Sequence, residues 1–121
     1  MPSGERHLVV DANILVRAVL GRQAASLLIA YAEEVSFLAP EVAFTDAERH
    51  VRAILSDRGL TAAEANRAMA TVLHRPQPLV RPVAPHVYAH QEAHSRERLR
   101  GRDESDWPYV ALALMLDCPA R

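Results

Sequence analysis

The chain begins with a short apolar run, His7-Leu-Val-Val, that stops at Asp11. A run this short and unbroken, closed by an acid, reads as a buried strand. Two stretches at helical period follow, over 12–20 and 23–33, separated by Gly21. Val35-Ser-Phe-Leu-Ala39 is a second strand, ending at Pro40. Over 41–57, Phe44, Ala47, Val51, Ile54 and Leu55 fall on one stripe at about 100° per residue, so this segment is a helix buried along one side. Arg58-Gly59 is a helix stop. Thr61-Ala-Ala-Glu64 has the spacing of a capping box and opens a helix to about residue 74. A third strand is expected over 79–83, with Pro78 and Pro82 limiting its pairing. Pro85 starts a helix to about residue 99. After a break at Gly101-Arg102, Asp103 or Ser105 caps a last helix, with Pro108 in its first turn, ending at Met115 or Leu116.

Strands alternating with helices predict a single α/β domain over residues 1–121, a three-layer α/β/α sandwich around a parallel sheet of three strands. There is no internal repeat, low-complexity tract or linker. Sheets of this kind place their sites at the carboxyl ends of the strands, which singles out Asp11. Asp11 reads equally as the N-cap of the following helix; Asn13 is the competing cap, and in a functional role its amide would orient Asp11 or a water.

Further acids lie where they can join it. Asp46 and His50, four residues apart, edge the apolar stripe of the 41–57 helix on one side, and Glu48 edges it on the other. Taken singly, each reads as a solvated helix edge. Asp103-Glu104-Ser105-Asp106 precedes the apolar run from Trp107. Acids favour a helix N-terminus, but a single cap needs one acid and this turn holds three. Carboxylates gathered from distant segments repel one another, and a divalent cation removes that cost. Oxygen ligands without clustered cysteine select hard ions, Mg²⁺ or Mn²⁺, which activate water and clamp phosphate.

Composition narrows the classes. The 121 residues are 50% hydrophobic and 24% charged, the balance of a folded globular chain rather than a disordered one. The net charge of −1 argues against whole-surface binding to nucleic acid. All fourteen basic residues are Arg, each a planar fork suited to carboxylate or phosphate. Cys118 is the one cysteine, so neither an internal disulfide nor a multi-cysteine zinc site is expected. No apolar run approaches membrane-spanning length, and MPSGERH is no export signal, so a cytoplasmic protein without membrane attachment is expected.

Leu8-Val-Val-Asp-Ala-Asn-Ile-Leu15, Ala39-Pro-Glu-Val-Ala-Phe-Thr-Asp-Ala47 and Asp103-Glu-Ser-Asp-Trp-Pro-Tyr-Val-Ala-Leu-Ala113, in this order, resemble the PIN-domain family, and among its members the small VapC-like toxins. The resemblance implies a metal-dependent ribonuclease that hydrolyses RNA phosphodiesters at a carboxylate-bound Mg²⁺ or Mn²⁺. Asp11 matches the first family acid and Asn13 the polar residue two beyond it. Pro40 places the second acid at Asp46, where the family more often has Glu, with Glu48 as the competing assignment. Asp106 matches the third, with Asp103 as an auxiliary ligand. His50 would support Asp46 by a hydrogen bond. The family continues past the Cys-Pro position into a strand and a Thr-x-Asp-like turn. The chain ends at Arg121, so a PIN-like sheet lacking its last strand, a weakened site and an exposed edge on the first strand are expected. A homodimer or higher oligomer would cover that edge, and a cognate antitoxin is the implied protein partner.

Other readings remain at this point. Arg96, Arg98, Arg100 and Arg102 alternate before the acidic turn, either as a solvated helix tail or, at Arg98, Arg100 and Arg102, as a phosphate clamp guiding RNA. His86, His90 and His94 recur every four residues, the spacing of a zinc or nickel site or of a polar helix face. Trp107 and Tyr109 read as packing residues. A receiver-like or phosphatase-like domain is the rival class, but an aspartyl-nucleophile phosphatase wants Asp where Asn13 stands, and no Gly-rich phosphate loop is present. A degenerate PIN-like module that binds RNA or protein without cutting is the non-enzymatic alternative.

Overall fold

The computed structural model describes residues 6–73 and 78–116. Strand β1 (Arg6–Val9) leads into helices α1 (Ala12–Leu20) and α2 (Arg22–Tyr31), then strand β2 (Val35–Pro40), helices α3 (Glu41–Asp57) and α4 (Ala62–Val72), strand β3 (Arg81–Val83), helices α5 (Pro85–Tyr88) and α6 (Glu92–Arg98), and helix α7 (Trp107–Leu116). The strands form one parallel sheet in the order β1-β2-β3, with Leu8 opposite Phe37 and Ala39 opposite Pro82. Among the described residues β1 and β3 are its edges.

Alternation along the strands builds the expected three layers. Val10, Phe37 and Ala39 join a core with Leu15 and Ala18 of α1, Phe44, Ala47 and Val51 of α3, and Met69 of α4. Val9 and Leu38, one residue out of phase, enter a second core with Tyr88, Ala111 and Leu112. A parallel sheet must be covered on both faces; α1 to α4 cover one and α5 with α7 the other. Among the described residues no single helix is long and apolar enough to cross a membrane.

Local signals act where expected. Thr61 and Glu64 form a reciprocal capping box at the start of α4. At the end of α3, the Gly59 N–H donates to the Ser56 carbonyl and the Leu60 N–H to that of Leu55, both at 2.9 Å; Gly59 reaches this with a φ of +85°, which favours glycine. Pro40 ends β2 and is also the residue capping α3, so the strand passes into the helix with no loop; its side chain is fully buried.

Three expectations are corrected. The third strand is shorter: Leu79 and Val80 turn into the first core, and only 81–83 pairs with β2. The second helix spans Arg22–Tyr31 rather than 23–33. The segment 85–99 is not one helix, because a 3₁₀ turn over Ala89–Gln91 separates α5 from α6. Tyr88, at φ −116° and ψ 0°, leaves helical geometry and lies fully buried among the residues of the second core. Packing of this ring outweighs helical continuity. His86, His90 and His94 are therefore exposed on a broken segment rather than stacked on one face. The expected end of α4 at residue 74, and Cys118, lie outside the described residues.

Candidate active site

The carboxyl end of the sheet carries a cleft of about 550 Å³. Asp11 and Asn13 reach it from the β1–α1 junction, Asp46 and His50 from α3, Ser105 and Asp106 from the turn before α7, and Tyr109 from α7 itself. Val42, Leu99 and Val110 add apolar wall. A second cleft, of about 400 Å³, lies toward the amino ends of the strands among His7, Phe37 and Arg81, and no acid lines it among the described residues.

Asp11 has both of the roles weighed for it. Its Oδ1 accepts the Ile14 N–H at 3.1 Å, capping α1, while its carboxylate lines the cleft. Asn13 is exposed at the rim and does not cap. Asp46 faces the cleft one and a half turns into α3, and its Oδ1 takes an ion pair from the exposed Arg49 at 3.0 Å. Glu48 is about 200° further round the helix and is not among the cleft residues. His50 does not support the Asp46 carboxylate; its Nδ1 lies 2.8 Å from the Asp46 backbone carbonyl, one turn back along α3. With the proton on Nδ1 that ring edge donates to the carbonyl.

The acidic turn separates its members. The Asp103 Oδ1 accepts from the Ser105 N–H at 3.0 Å and the Ser105 hydroxyl at 2.6 Å. These bonds hold its carboxyl below the ordinary aspartate value. Asp103 thus shapes the 3₁₀ turn over Glu104–Asp106, and Asp106 rather than Asp103 is among the cleft residues. Asp106 is among them, and its carboxyl is raised by partial desolvation, then by the charges of Asp103 and Asp11. Arg96 joins Glu92 at 2.8 Å, approaches Glu104 at 3.9 Å and stacks over Trp107. Arg98, Arg100 and Arg102 are exposed outside the cleft, and Arg100 pairs with Glu97 at 2.8 Å.

Tyr109 is the cleft residue whose part was not legible in the sequence. Burial pushes its hydroxyl up to about 12, the charges of Asp46, Asp11 and Asp106 add to this, and the Ala12 backbone amide acts the other way. The phenol therefore shares one electrostatic environment with all three acids. It stands three residues after Asp106, one helical turn on, and that spacing is the one signal the sequence carries.

The donor set is oxygen-rich and mutually repelling, which fits a hard divalent cation. Among the described residues no three His, Cys, Asp or Glu side chains stand close enough to ligate one ion together. The fit is therefore to a hydrated ion with waters completing its shell, as Mg²⁺ favours, not to an ion enclosed by four carboxylates.

Comparison with known proteins matches this architecture. No curated protein matches the sequence. Among solved structures, a chain of VapBC2 from Rickettsia felis, crystallised bound to a DNA fragment from their promoter, superposes with a TM-score of 0.64 at 10% identity, over 94% of this chain and 85% of that one. At that identity the likeness is one of fold. The family of PIN domains matches residues 9–120, from the end of β1 through the acidic turn and α7. The chain belongs to the PIN domain family.

Proposed function

We propose that this PIN domain is an endoribonuclease of the VapC-like toxin type, hydrolysing RNA phosphodiesters with Mg²⁺ or Mn²⁺. The observation that carries the reading is the meeting of Asp11, Asp46 and Asp106, from three separate segments, in one cleft at the carboxyl end of the sheet. Those three would hold a hydrated ion, in part through its waters, with Asp103 acting through the turn rather than as a ligand. A bound divalent ion supplies charge neutralisation at the phosphate and a more acidic water. The chain's own part is to fix the acids: Asp11 by capping α1, Asp46 by the loopless β2–α3 junction, Asp106 by the Asp103–Ser105 turn. Val42, Leu99 and Val110 give the cleft apolar wall beside the acids. Arg98, Arg100 and Arg102 stand ready to draw a polyanion toward it.

An antitoxin-type protein partner in a cytoplasmic setting completes the proposal. The VapBC2 likeness supports it, as do Leu27, Ile29 and Tyr31, apolar residues of α2 that are half exposed or more. Self-association through the β1 edge is part of the same reading, and light scattering on a sizing column tests it.

The deciding experiment incubates labelled single-stranded RNA with the protein, with Mg²⁺, Mn²⁺ or chelator, beside Asp11→Asn. Cleavage that needs both metal and Asp11 supports the reading. RNA binding without cleavage, equal in both proteins, favours the non-cutting module instead.

A further inference from the structure

The three acids of the cleft present only acceptors to an incoming anion, so a phosphodiester there needs donors as well as a cation. The Ser105 hydroxyl is already given to Asp103. Asn13 and His50 are exposed side chains at the rim. Tyr109 differs from them in being held. Its ring packs against both cores, the one with Leu15 and Phe44 and the one with Leu38 and Leu112, so it is wedged between the layers at the end of the sheet. Packing of the ring is a task phenylalanine would perform equally; the hydroxyl is what Tyr109 adds, and the residue lines the acid cleft.

Resting on the nuclease reading above, we propose that Tyr109 is a substrate-binding residue whose hydroxyl donates a hydrogen bond to a non-bridging oxygen of the scissile phosphate. No proton is transferred: the O–H stays on tyrosine while water replaces the leaving alcohol at phosphorus. A tyrosine phenol keeps its proton at neutral pH, so the hydroxyl meets an anion as a donor. The donor is therefore fixed before substrate arrives, the condition under which such groups stabilise developing charge most effectively.

The test compares wild type, Tyr109→Phe and Asp11→Asn in cleavage of single-stranded RNA with Mg²⁺, together with thermal melting. Fluorescence anisotropy of the same RNA is measured on Asp11→Asn with and without Tyr109→Phe. The expected result is a loss of about 10–100-fold in kcat for Tyr109→Phe, with KM rising in step with about 3–10-fold weaker RNA binding in the Asp11→Asn background. Melting should match wild type. A Tyr109→Phe protein that cleaves and binds as its parent does overturns the assignment. So does one whose activity falls only in step with its melting, since that loss is packing. Cleavage that needs Asp11 but ignores Tyr109 sinks this inference alone. A wild type without metal-dependent cleavage sinks the nuclease reading, and the anisotropy arm still decides whether Tyr109 holds RNA.

Discussion

The guanidinium carbon of Arg96 lies 5.6 Å from the centre of the Trp107 ring. The same side chain donates to Glu92 one turn back and approaches Glu104 across the acidic turn. Trp107 meets the buried Tyr88 edge-on at 5.7 Å. Arg96 therefore ties α6 to the turn that carries Asp106, which is a different use of an arginine from the solvated tail or RNA clamp that its sequence neighbours allow.

Arg96→Ala should destabilise the fold by about 1 kcal/mol, the sum of a stacked cation and exposed ion pairs. Arg96→Lys should recover only part of this, because an ammonium keeps the charge but not the planar stack. Chemical denaturation measures both, and full recovery by lysine would show that charge alone matters.

Asp11→Asn should abolish cleavage, by at least about 100-fold, yet fold normally, because asparagine caps a helix as well as aspartate does, within about 0.5 kcal/mol. A paired activity assay and melt separates the two tasks of this residue. A variant that is inactive because it is unfolded would contradict the cap assignment.

Asp106→Asn should melt slightly higher than wild type at neutral pH without metal, the gain being small because solvent screens this exposed carboxyl. The folded protein raises this carboxyl, so its ionised form costs stability above that raised value. As pH falls and Asp106 takes up its proton, the difference should close. Added Mg²⁺ should raise the melting temperature of wild type and much less that of Asp106→Asn; chelator should remove the gain. Scanning calorimetry with and without metal checks all three.

The capping box has the opposite sign. The Thr61 backbone and hydroxyl hold the Glu64 carboxyl below its ordinary value of 4.5. The stabilisation is complete above that value and is lost as pH falls through the lower folded one. Glu64→Gln should be less stable than wild type at neutral pH and converge with it in acid, where wild type has lost its carboxylate bonds, whereas Thr61→Ala, which removes the non-titrating Oγ1 acceptor of the Glu64 N–H, should be destabilised at all pH values. Urea titrations at several pH values measure the convergence.

The layers and most of the acid cleft were legible because they are periodic or positional. The Val9 and Val10 alternation, the stripe of α3 and the acid at the end of β1 each follow from local rules. The distance from Pro40 that the family resemblance implies points to Asp46 rather than Glu48, and α3 runs unbroken, so Asp46 and not Glu48 lies among the cleft residues. The 3₁₀ turn over Ala89–Gln91 was not legible: neither glycine nor proline marks it, and its cause is the burial of Tyr88 beneath a helix distant in sequence. For Asp103 the turn-forming part was not legible, because a turn-forming aspartate and a ligand look alike in sequence until the Ser105 bonds are seen. For Tyr109 the packing half of its role was evident, but which way the hydroxyl end points depends on where α1 and α3 lie.

The absence of any residue between β2 and α3 makes Pro40 the origin of a fixed count. Strand direction sets where α3 begins, and Asp46 follows at the sixth residue. One residue inserted between the two would turn the acid about 100° around the helix and carry it about 1.5 Å along the axis. Three or four would bring it back to nearly its present bearing, a full turn farther from the sheet. Length changes in this stretch are thus constrained by phase as well as by size.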